Sequence, residues 1–421
     1  MASKMEPLPG TSDIWEPESL EWVRLETSAR DVFRRYGYGE LRTPIFERTD
    51  VFVRSIGDET EVVQKEMYTF EDRGGRSLTL RPEGTAGTMR AIANQGLAQG
   101  EGKRVFCIGP MFRGERPAAG RRRQFHQISV EAVGKCSPAL DAECISMLAR
   151  YLQGIGINRI RVQLNSRGTT DDRARMAPEL QAYFKEHVTV MCEDCQRRVD
   201  GNVWRILDCK NAGCQPVIEL APPIPELLGE ESREYFAQVR KILDSLGIKY
   251  AINPRLVRGL DYYQHTVFEV TSEAEGLGAQ NALAGGGRYL ITLPGSKKPV
   301  EGVGFGIGME RLMMALHPTP FEERGTGHVD LFVAGRGVET QPGRMQLAEE
   351  LRAAGIAVIA ELENRSLKAQ FRTANRLNAR FVLVLAEQEL AAGTVSCKDM
   401  KTSEQETCPR PRVVDWVRER V

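Results

Sequence analysis

The chain carries no net charge: 57 lysines and arginines balance 57 aspartates and glutamates over 421 residues. That balance excludes a global pull toward nucleic acid or an anionic membrane, so any polyanion site has to be local. No stretch approaches the roughly 18 apolar residues of a membrane span. The opening MASKMEPLPGTSDIWEPES lacks the apolar run of a secretory signal, so the cytoplasm is the expected location, with no membrane partner. Neither GxxxxGK[ST] nor GxGxxG occurs, which removes the P-loop and the dinucleotide fingerprint. Internal repeats and low-complexity tracts are missing too. The nine cysteines are odd in number and dispersed, which argues against a disulfide framework and brings metal or buried-thiol roles forward.

What is present is ordinary for a folded protein: 41% hydrophobic and 27% charged residues in a chain long enough for two or three domains. A helical pattern runs from Ser19 to Tyr36 and stops at Gly37 and Gly39. The Thr-Pro step between Leu41 and Phe46 fixes an extended chain, and apolar runs near Leu78, Val105 to Gly109, Thr266 to Val270 and Gly302 to Gly308 predict strands of a mostly antiparallel sheet. Between about Thr170 and Tyr250 the pattern changes to charged helices, four cysteines and the breaker run APPIP, an inserted helical domain. After the Pro and Gly signals of Pro318 to Gly327, strands at Val329 to Ala334, Ala357 to Glu361 and Phe381 to Leu385 alternate with helices, which predicts a small α/β domain with a parallel sheet.

The segment FRGERPAAGRRRQFHQ, Phe112 to Gln127, places Arg113, Arg116, Arg121, Arg122 and Arg123 against the single acid Glu115. Guanidinium groups donate two bonds at once to phosphate oxygens, and a turn at Pro117 to Gly120 would fold both ends of the loop toward one ligand. Phe125 could stack on a base; a solvated hairpin tip is the other reading. In GVGFGIGMERLMMAL, glycines 302, 304, 306 and 308 alternate before the chain turns helical. Alternate glycines strip one face of a strand, so a flat adenine could lie on backbone with Arg311 reaching phosphate, unless the glycines serve only close packing.

Three further segments could serve a small polar substrate. RPEGT, Arg81 to Thr85, offers a carboxylate and a hydroxyl; Gln127 and Glu131 lie four apart beside the arginine loop; RGLDYY sets Arg258 near Tyr262 and Tyr263. AGGGRY, Ala284 to Tyr289, permits close approach of backbone to a ligand. Cys192, Cys195, Cys209 and Cys214 have the spacing CxxC, thirteen residues, CxxxxC. That suits a tetrahedral zinc knuckle, with metal-free thiols and redox pairing as the alternatives. Arg365, Lys368, Arg372, Arg376 and Arg380 recur every three or four residues with no acid from Asn364 to Arg380, while Leu367, Phe371, Ala374 and Leu377 take the other face. The basic face is either solvated or a contact to nucleic-acid phosphates.

Together with PGTSD at Pro9 to Asp13 and TPIFE at Thr43 to Glu47, these segments resemble the histidyl-tRNA synthetases, a family of class II aminoacyl-tRNA synthetases, over nearly the whole chain. RGLDYY and FHQ carry the histidine-specific part. The resemblance implies an α+β catalytic domain over residues 1–325, an antiparallel sheet flanked by helices, interrupted by an insertion at 170–250. A C-terminal α/β anticodon-binding domain would follow at 326–421. It implies ATP-dependent activation of L-histidine, with magnesium, and transfer to tRNA(His), in a homodimer that pairs through the Thr43 to Glu47 region.

By position, Arg113 would hold the α-phosphate, Glu115 the adenine amino group, Phe125 the adenine face, and Arg121 with Arg311 the terminal phosphates. Arg258, opposite Arg113, would stabilise charge developing on the α-phosphate. Glu83, Gly84, Thr85 and Gln127 would surround the histidine amino group, and Glu131 with Tyr262 and Tyr263 the imidazole. Arg116 is left without a role, and Arg122 and Arg123 are assigned to the tRNA acceptor end. Leu290 stands where the family usually has aspartate. A relative without activity, the histidine-sensing regulatory subunit of the histidine-biosynthetic ATP phosphoribosyltransferase, is the alternative. Such relatives typically lack the C-terminal domain and depart from the arginine pair.

Overall fold

Glycines at every second position need a sheet to give them meaning, and the computed structural model places them at the centre of one. It describes residues 5–57, 60, 62–95, 102–134, 137–260, 262–278, 281–292, 299–317 and 329–420. Two compact units result, one of residues 1–13 and 21–320, the other of 14–20 and 321–421. The expected boundary at 325/326, with its Pro and Gly signals from 318 to 327, lies outside the described residues.

In the first unit, helix α1 (Glu18–Arg35) leads to β1 (Gly39–Glu40). The extended Thr43–Pro44 step joins β1 to a small antiparallel sheet of β2 (Phe46–Arg48), β3 (Thr69–Glu71) and β4 (Ser77–Leu80), ordered β2-β4-β3. It is accompanied by α2 (Thr49–Ile56) and α3 (Thr85–Asn94). A long hairpin follows, β5 (Lys103–Phe112) and β6 (Gln124–Val133), then α4 (Pro138–Gly154), whose first turn is capped by the Ser137 hydroxyl, and β7 (Ile160–Ser166).

The chain then leaves the sheet for a helical excursion: α5 (Thr170–His187), α6 (Glu193–Asp200), α7 (Gln215–Glu219), α8 (Ile224–Leu227) and α9 (Glu230–Ser245). Thr169 and Asp172 form a capping box that starts it. Residues from Met176 to Leu228 enclose their own apolar core, which includes Cys195, Cys209 and Cys214, whereas α9 packs on α4. The chain returns as β8 (Tyr250–Ile252), β9 (Tyr263–Ser272), β10 (Ala282–Ile291), β11 (Val300–Gly308) and α10 (Met309–Leu316).

The eight strands line up β1-β5-β6-β11-β10-β9-β7-β8. Neighbours are antiparallel except at the two edges, β1 with β5 and β7 with β8. Directly paired residues share a face. Gly304 pairs with Glu131 and Gly287, Gly306 with Ser129 and Gly285, and Gly308 with Gln127. One face of the central strands is therefore backbone with a row of polar groups beside it. On the other face Phe305, buried like Val303 and Ile307, meets Phe33 of α1, and Phe33 also meets Phe106 and Tyr151 of α4. Burying each such ring contributes roughly 2–3 kcal/mol, which fixes which face of the sheet stays free.

The second unit has the strands β12 (Leu331–Ala334), β13 (Val358–Ala360), β14 (Phe381–Val384), β15 (Thr394–Asp399) and β16 (Gln405–Pro409), ordered β13-β12-β14-β15-β16. The first three are parallel as expected, but β15 and β16 add an antiparallel hairpin. Its outer strand, QETCP, is exposed except for Cys408, so it carries too little apolar alternation to read as a strand. Helices α11 (Gln341–Ala353) and α14 (Val413–Arg418) pack on one face. α12 (Leu367–Arg376) packs on the other, and α13 (Glu387–Ala392) precedes β15.

Leu367, Phe371, Ala374 and Leu377 do face the core. The basic row is shorter than expected, because Asn378 takes a left-handed φ of 53° and Ala379 N donates to Ala374 O, ending the helix. Arg365 precedes α12 and pairs with Glu361; Arg380 follows it and lies 5.1 Å from the Phe381 ring. Lys368, Arg372 and Arg376 remain on the helix itself. Among the described residues no helix is long and apolar enough to cross a membrane.

Candidate active site

The β5–β6 hairpin raises the arginine loop over the glycine face. Its limbs close where Arg113 N donates to Arg123 O at 2.9 Å, and its tip turns through Gly120, at a φ of +68°. Arg113, Glu115, Arg121, Phe125 and Gln127 line a cleft of about 240 Å³ with Arg258, Glu269, Gly285, Gly306 and Arg311. A side chain on the floor would displace the groups of the site: a Cβ at Gly285 would run into the Arg258 guanidinium, and one at Gly306 into the Gln127 amide.

Each basic group is held at a set place. Arg113 Nε donates to Pro82 O at 2.9 Å and its guanidinium sits 5.3 Å from the Phe125 ring. Glu115 lies between Arg113 and Arg121, at 3.8 and 3.6 Å. Arg311 donates to Gly120 O at 3.3 Å and to Ala282 O at 2.6 Å. It is brought there because Glu310, at the start of α10, accepts from His126 N at 2.9 Å. Burial and the nearby Arg121 lower the Arg311 pKa. Such mutual crowding of cations is relieved by a phosphate. Arg258 pairs with Glu269 at 2.8 Å. Burial works against its charge, but Tyr263 and Glu269 outweigh it and leave the pKa raised.

On the same face lies a cluster of buried polar side chains. Glu131, on β6, accepts from the Thr85 hydroxyl at 2.6 Å through Oε1, while Oε2 is buried and accepts no hydrogen bond from the described residues. Burial pushes its pKa up to about 8 against the pull of the Thr85 and Tyr289 hydroxyls. The Tyr262 and Tyr263 rings are 4.7 Å apart and tilted by 48°, with Tyr289 edge-on at 5.7 Å from Tyr262, and burial raises all three phenols. Both oxygens of Glu83 accept backbone N–H groups at the start of α3, from Thr85 at 2.6 Å and Ala86 at 2.7 Å. Burial still leaves the Glu83 pKa raised. Gly84 is required by proximity, since a Cβ there would strike the Ser129 hydroxyl.

The other arginines of the loop are placed differently: Arg122 also lines the cleft and pairs with the Ser12 hydroxyl, Arg123 Nε donates to Glu115 O at 3.4 Å, and Arg116 is exposed. Leu290 sits within β10, opposite Glu301, and donates its N–H to Tyr262 O at 2.9 Å, so it fixes the backbone of the first tyrosine of the pair. The loop at 293–298 lies outside the described residues.

Sequence reasoning missed three residues of the site. Glu269 holds Arg258, and its signal was an acid inside the apolar strand TVFEV. Ser129 donates to Gln127 at 3.0 Å. Arg81 ties the hairpin to the small sheet through Pro110 O at 2.8 Å and Thr43 O at 3.1 Å.

In the helical excursion the four cysteines converge: their sulfurs all lie within 4.8 Å of one another. Cys192 and Cys209 are 3.8 Å apart, Cys192 N donates to Cys214 Sγ at 3.2 Å and Asn211 N to Cys209 Sγ at 3.4 Å.

A backbone floor, arginine walls and an adjoining buried carboxylate have the chemistry to set a polyphosphate against a small polar group, the pattern of an ATP-dependent ligase. Comparison with known proteins identifies which. Residues 10–312 match the family model described as histidyl-tRNA synthetase, and residues 329–420 match the anticodon binding domain. The histidine–tRNA ligase of Geobacillus sp. strain WCH70 is 44% identical over 417 residues, 98% of each chain. That of Bacillus cytotoxicus is 46% identical over 403 residues, 94% of this chain and 95% of the relative. The apo crystal structure of S. aureus histidyl-tRNA synthetase superposes with a TM-score of 0.80 at 35% identity, covering 98% of this chain and all of that one. The chain belongs to the histidyl-tRNA synthetase family.

Proposed function

We propose that the chain activates L-histidine with ATP and transfers it to tRNA(His). The observation that carries the substrate assignment is the buried Glu131 carboxylate, whose Oε2 faces Gly304 of the glycine strand and which is ringed by phenols next to an arginine-walled cleft. An acceptor for one ring nitrogen and a phenol for the other suit an imidazole and leave buried groups unpaired with other side chains.

In this reading adenine lies between Phe125 and the glycine floor with its amino group toward Glu115. Arg113 holds the α-phosphate, and Arg121 with Arg311 the terminal phosphates. Glu83, Thr85 and Gln127 take the amino group, and Glu131 with Tyr262 and Tyr263 the ring. The histidine carboxylate attacks the α-phosphorus in line with the departing pyrophosphate, forming the mixed anhydride. Arg258 offsets the charge that builds on the phosphoryl oxygens, while positioning and fixed charge do the rest. Magnesium bound to ATP would supply further positive charge beside the phosphates that Arg121 and Arg311 hold. A terminal ribose hydroxyl of the tRNA then attacks the carbonyl carbon and AMP departs. Arg122 and Arg123 are assigned to the acceptor end.

The regulatory-subunit alternative is not favoured, because relatives named as ligases match nearly the full length and the anticodon-binding module is present. The test is histidine-dependent exchange of pyrophosphate into ATP, followed by charging of tRNA(His). Exchange without an amino acid requirement, or best with another amino acid, would overturn the reading.

Three further assignments belong to it. The expected segments, a catalytic domain at 1–325 with an insertion at 170–250 and an anticodon domain at 326–421, divide these tasks. A homodimer forms through the small sheet, where Ile45, Phe46, Tyr68 and Phe70 are 44, 46, 37 and 44% exposed; an apolar patch of that kind marks an interface. A monomer by light scattering would refute it. The enzyme works in the cytoplasm, where its tRNA is and thiols stay reduced.

Zinc fits the four-thiol cluster. Tetrahedral coordination at about 2.3 Å puts sulfurs about 3.8 Å apart, and the Cys192–Cys209 distance is 3.8 Å. The bond from the Cys195 backbone lowers the Cys192 thiol to about 7, whereas burial raises Cys195 and Cys214, a cost that coordination to a cation would offset. Purified protein holding well under one zinc per chain would refute this assignment.

A further inference from the structure

Arg258 stands on a loop rather than on a strand or helix, and the sheet holds only one side of that loop. Asn165 of β7 donates to Leu256 O at 3.0 Å. The helical insertion holds the rest. Ile224 N donates to Pro254 O at 3.2 Å, and Arg255 donates to Ala221 O at 3.4 Å. Val257, the residue before Arg258, is buried in the same apolar core as Cys195, Cys209 and Cys214. On the far side, the Arg205 guanidinium stands over Gly259: a Cβ there would be 3.9 Å from its Nη1. Arg205 and Asp208 belong to the turn Val203–Asp208, and the next residue is Cys209. Asp208 also adds to the negative potential that holds the Arg258 charge, after Tyr263 and Glu269.

We infer that the insertion is a positioning element for Arg258: the turn Val203–Asp208, fixed at its end by a zinc ion on the four thiols, sets where the guanidinium stands. Metal occupancy thus governs the rate of adenylate formation more than the affinity for histidine. The inference rests on the ligase and zinc readings above. A guanidinium on an unsupported loop samples many positions, and a displacement of about 1 Å at a reacting centre costs on the order of a hundredfold in rate. The histidine contacts on β6 and α3 do not stand on this loop, and of the two phenols Tyr263 begins β9 while the Tyr262 carbonyl is held by Leu290 N of β10, so binding and rate should separate.

The test uses the full-length chain and four measurements: zinc content, thermal midpoint, histidine KM, and kcat of histidine-dependent pyrophosphate exchange. Cys214→Ser should lose zinc and lower kcat about tenfold or more with histidine KM within about twofold. Cys214→His, which restores a ligand, should regain zinc and most of kcat. Asp208→Asn should keep zinc and the thermal midpoint yet lower kcat about three- to tenfold at unchanged KM, with Asp208→Glu recovering part of it.

Zinc lost from Cys214→Ser with kcat unchanged overturns the coupling and leaves the zinc reading intact. A Cys214→Ser chain that does not fold is replaced by chelation of the wild type, read by the same four quantities. A wild type without zinc refutes the metal half, and Asp208→Asn then decides the positioning half alone: no change in kcat overturns it. A wild type without histidine-dependent exchange overturns the ligase reading and this inference with it.

Discussion

Arg258 and Glu131 sit at opposite ends of the same reaction, and their contacts call for different kinetic signatures. Arg258 is held by Glu269 at 2.8 Å over the glycine floor, in the cleft proposed to take the phosphates. In the proposed reaction it meets charge that develops only as the adenylate forms. Arg258→Ala should therefore lower kcat for pyrophosphate exchange by about 10²- to 10³-fold with little change in histidine KM; a variant that raised KM alone would contradict that role. Glu131 is proposed to meet the substrate before reaction, so Glu131→Gln should raise histidine KM and spare kcat. The same residue makes a pH prediction. Its pKa is pushed up to about 8 by burial, above the roughly 4.3 of a free glutamate. A carboxyl raised in this way binds its proton more tightly in the folded chain. Its contribution to stability is whole below about pH 4 and is lost as pH rises through about 8. Glutamine has no proton to lose, so without histidine the thermal midpoint of Glu131→Gln should overtake that of the wild type between about pH 5 and 8.5. A difference between the two midpoints that stays flat across this range would refute the shift.

At the scale of the element, β11 shows what a strand without side chains is for. A Cβ on Gly304 would strike both the Glu131 carboxylate and Val130 O, whereas one on Gly306 would meet only the movable end of Gln127. Backbone cannot step aside, so Gly304→Ala should destabilise the fold by several degrees in thermal midpoint. Gly306→Ala should fold normally and raise histidine KM, as Gln127 is displaced; thermal melts and exchange kinetics on the pair distinguish the two, and equal behaviour would contradict the packing argument. The alternation of glycines was legible in the sequence because period 2 is a local property, and so was the arginine hairpin, a cluster of one sign in a neutral chain. What was not legible depends on register. Nothing near Glu269 in sequence says that it pairs across the sheet with Gly285 and reaches Arg258. Nor does RPEGT reveal that Glu83 already accepts two N–H groups from the helix it precedes. The hairpin of β15 and β16 escaped because five residues with one buried side chain carry no pattern. The basic helix was read too long because Asn378, a good left-handed terminator, was passed over.

For the molecule as a whole, neutrality is the constraint that any account of nucleic-acid binding must meet. With 57 charges of each sign, attraction to a polyanion comes from local surfaces, and one candidate lies on the second unit. Lys368, Arg372 and Arg376 project from α12 at helical spacing while Leu367, Phe371 and Ala374 hold it to the sheet. Arg365 and Arg380 are engaged elsewhere, with Glu361 and the Phe381 ring. The ionic part of any contact thus comes down to three cations, each worth roughly one displaced counterion if it meets a phosphate. Reversing all three, Lys368→Glu with Arg372→Glu and Arg376→Glu, leaves the buried side of the helix intact, so the thermal midpoint should hold. If this face meets tRNA, the KM for tRNA(His) in charging should rise on the order of tenfold or more and its dependence on salt should flatten. Histidine-dependent pyrophosphate exchange should stay at the wild-type rate, because no residue of the activation site is touched. Unchanged charging, with an unchanged salt slope, would mean that the face is merely solvated and that the tRNA is held elsewhere on the chain.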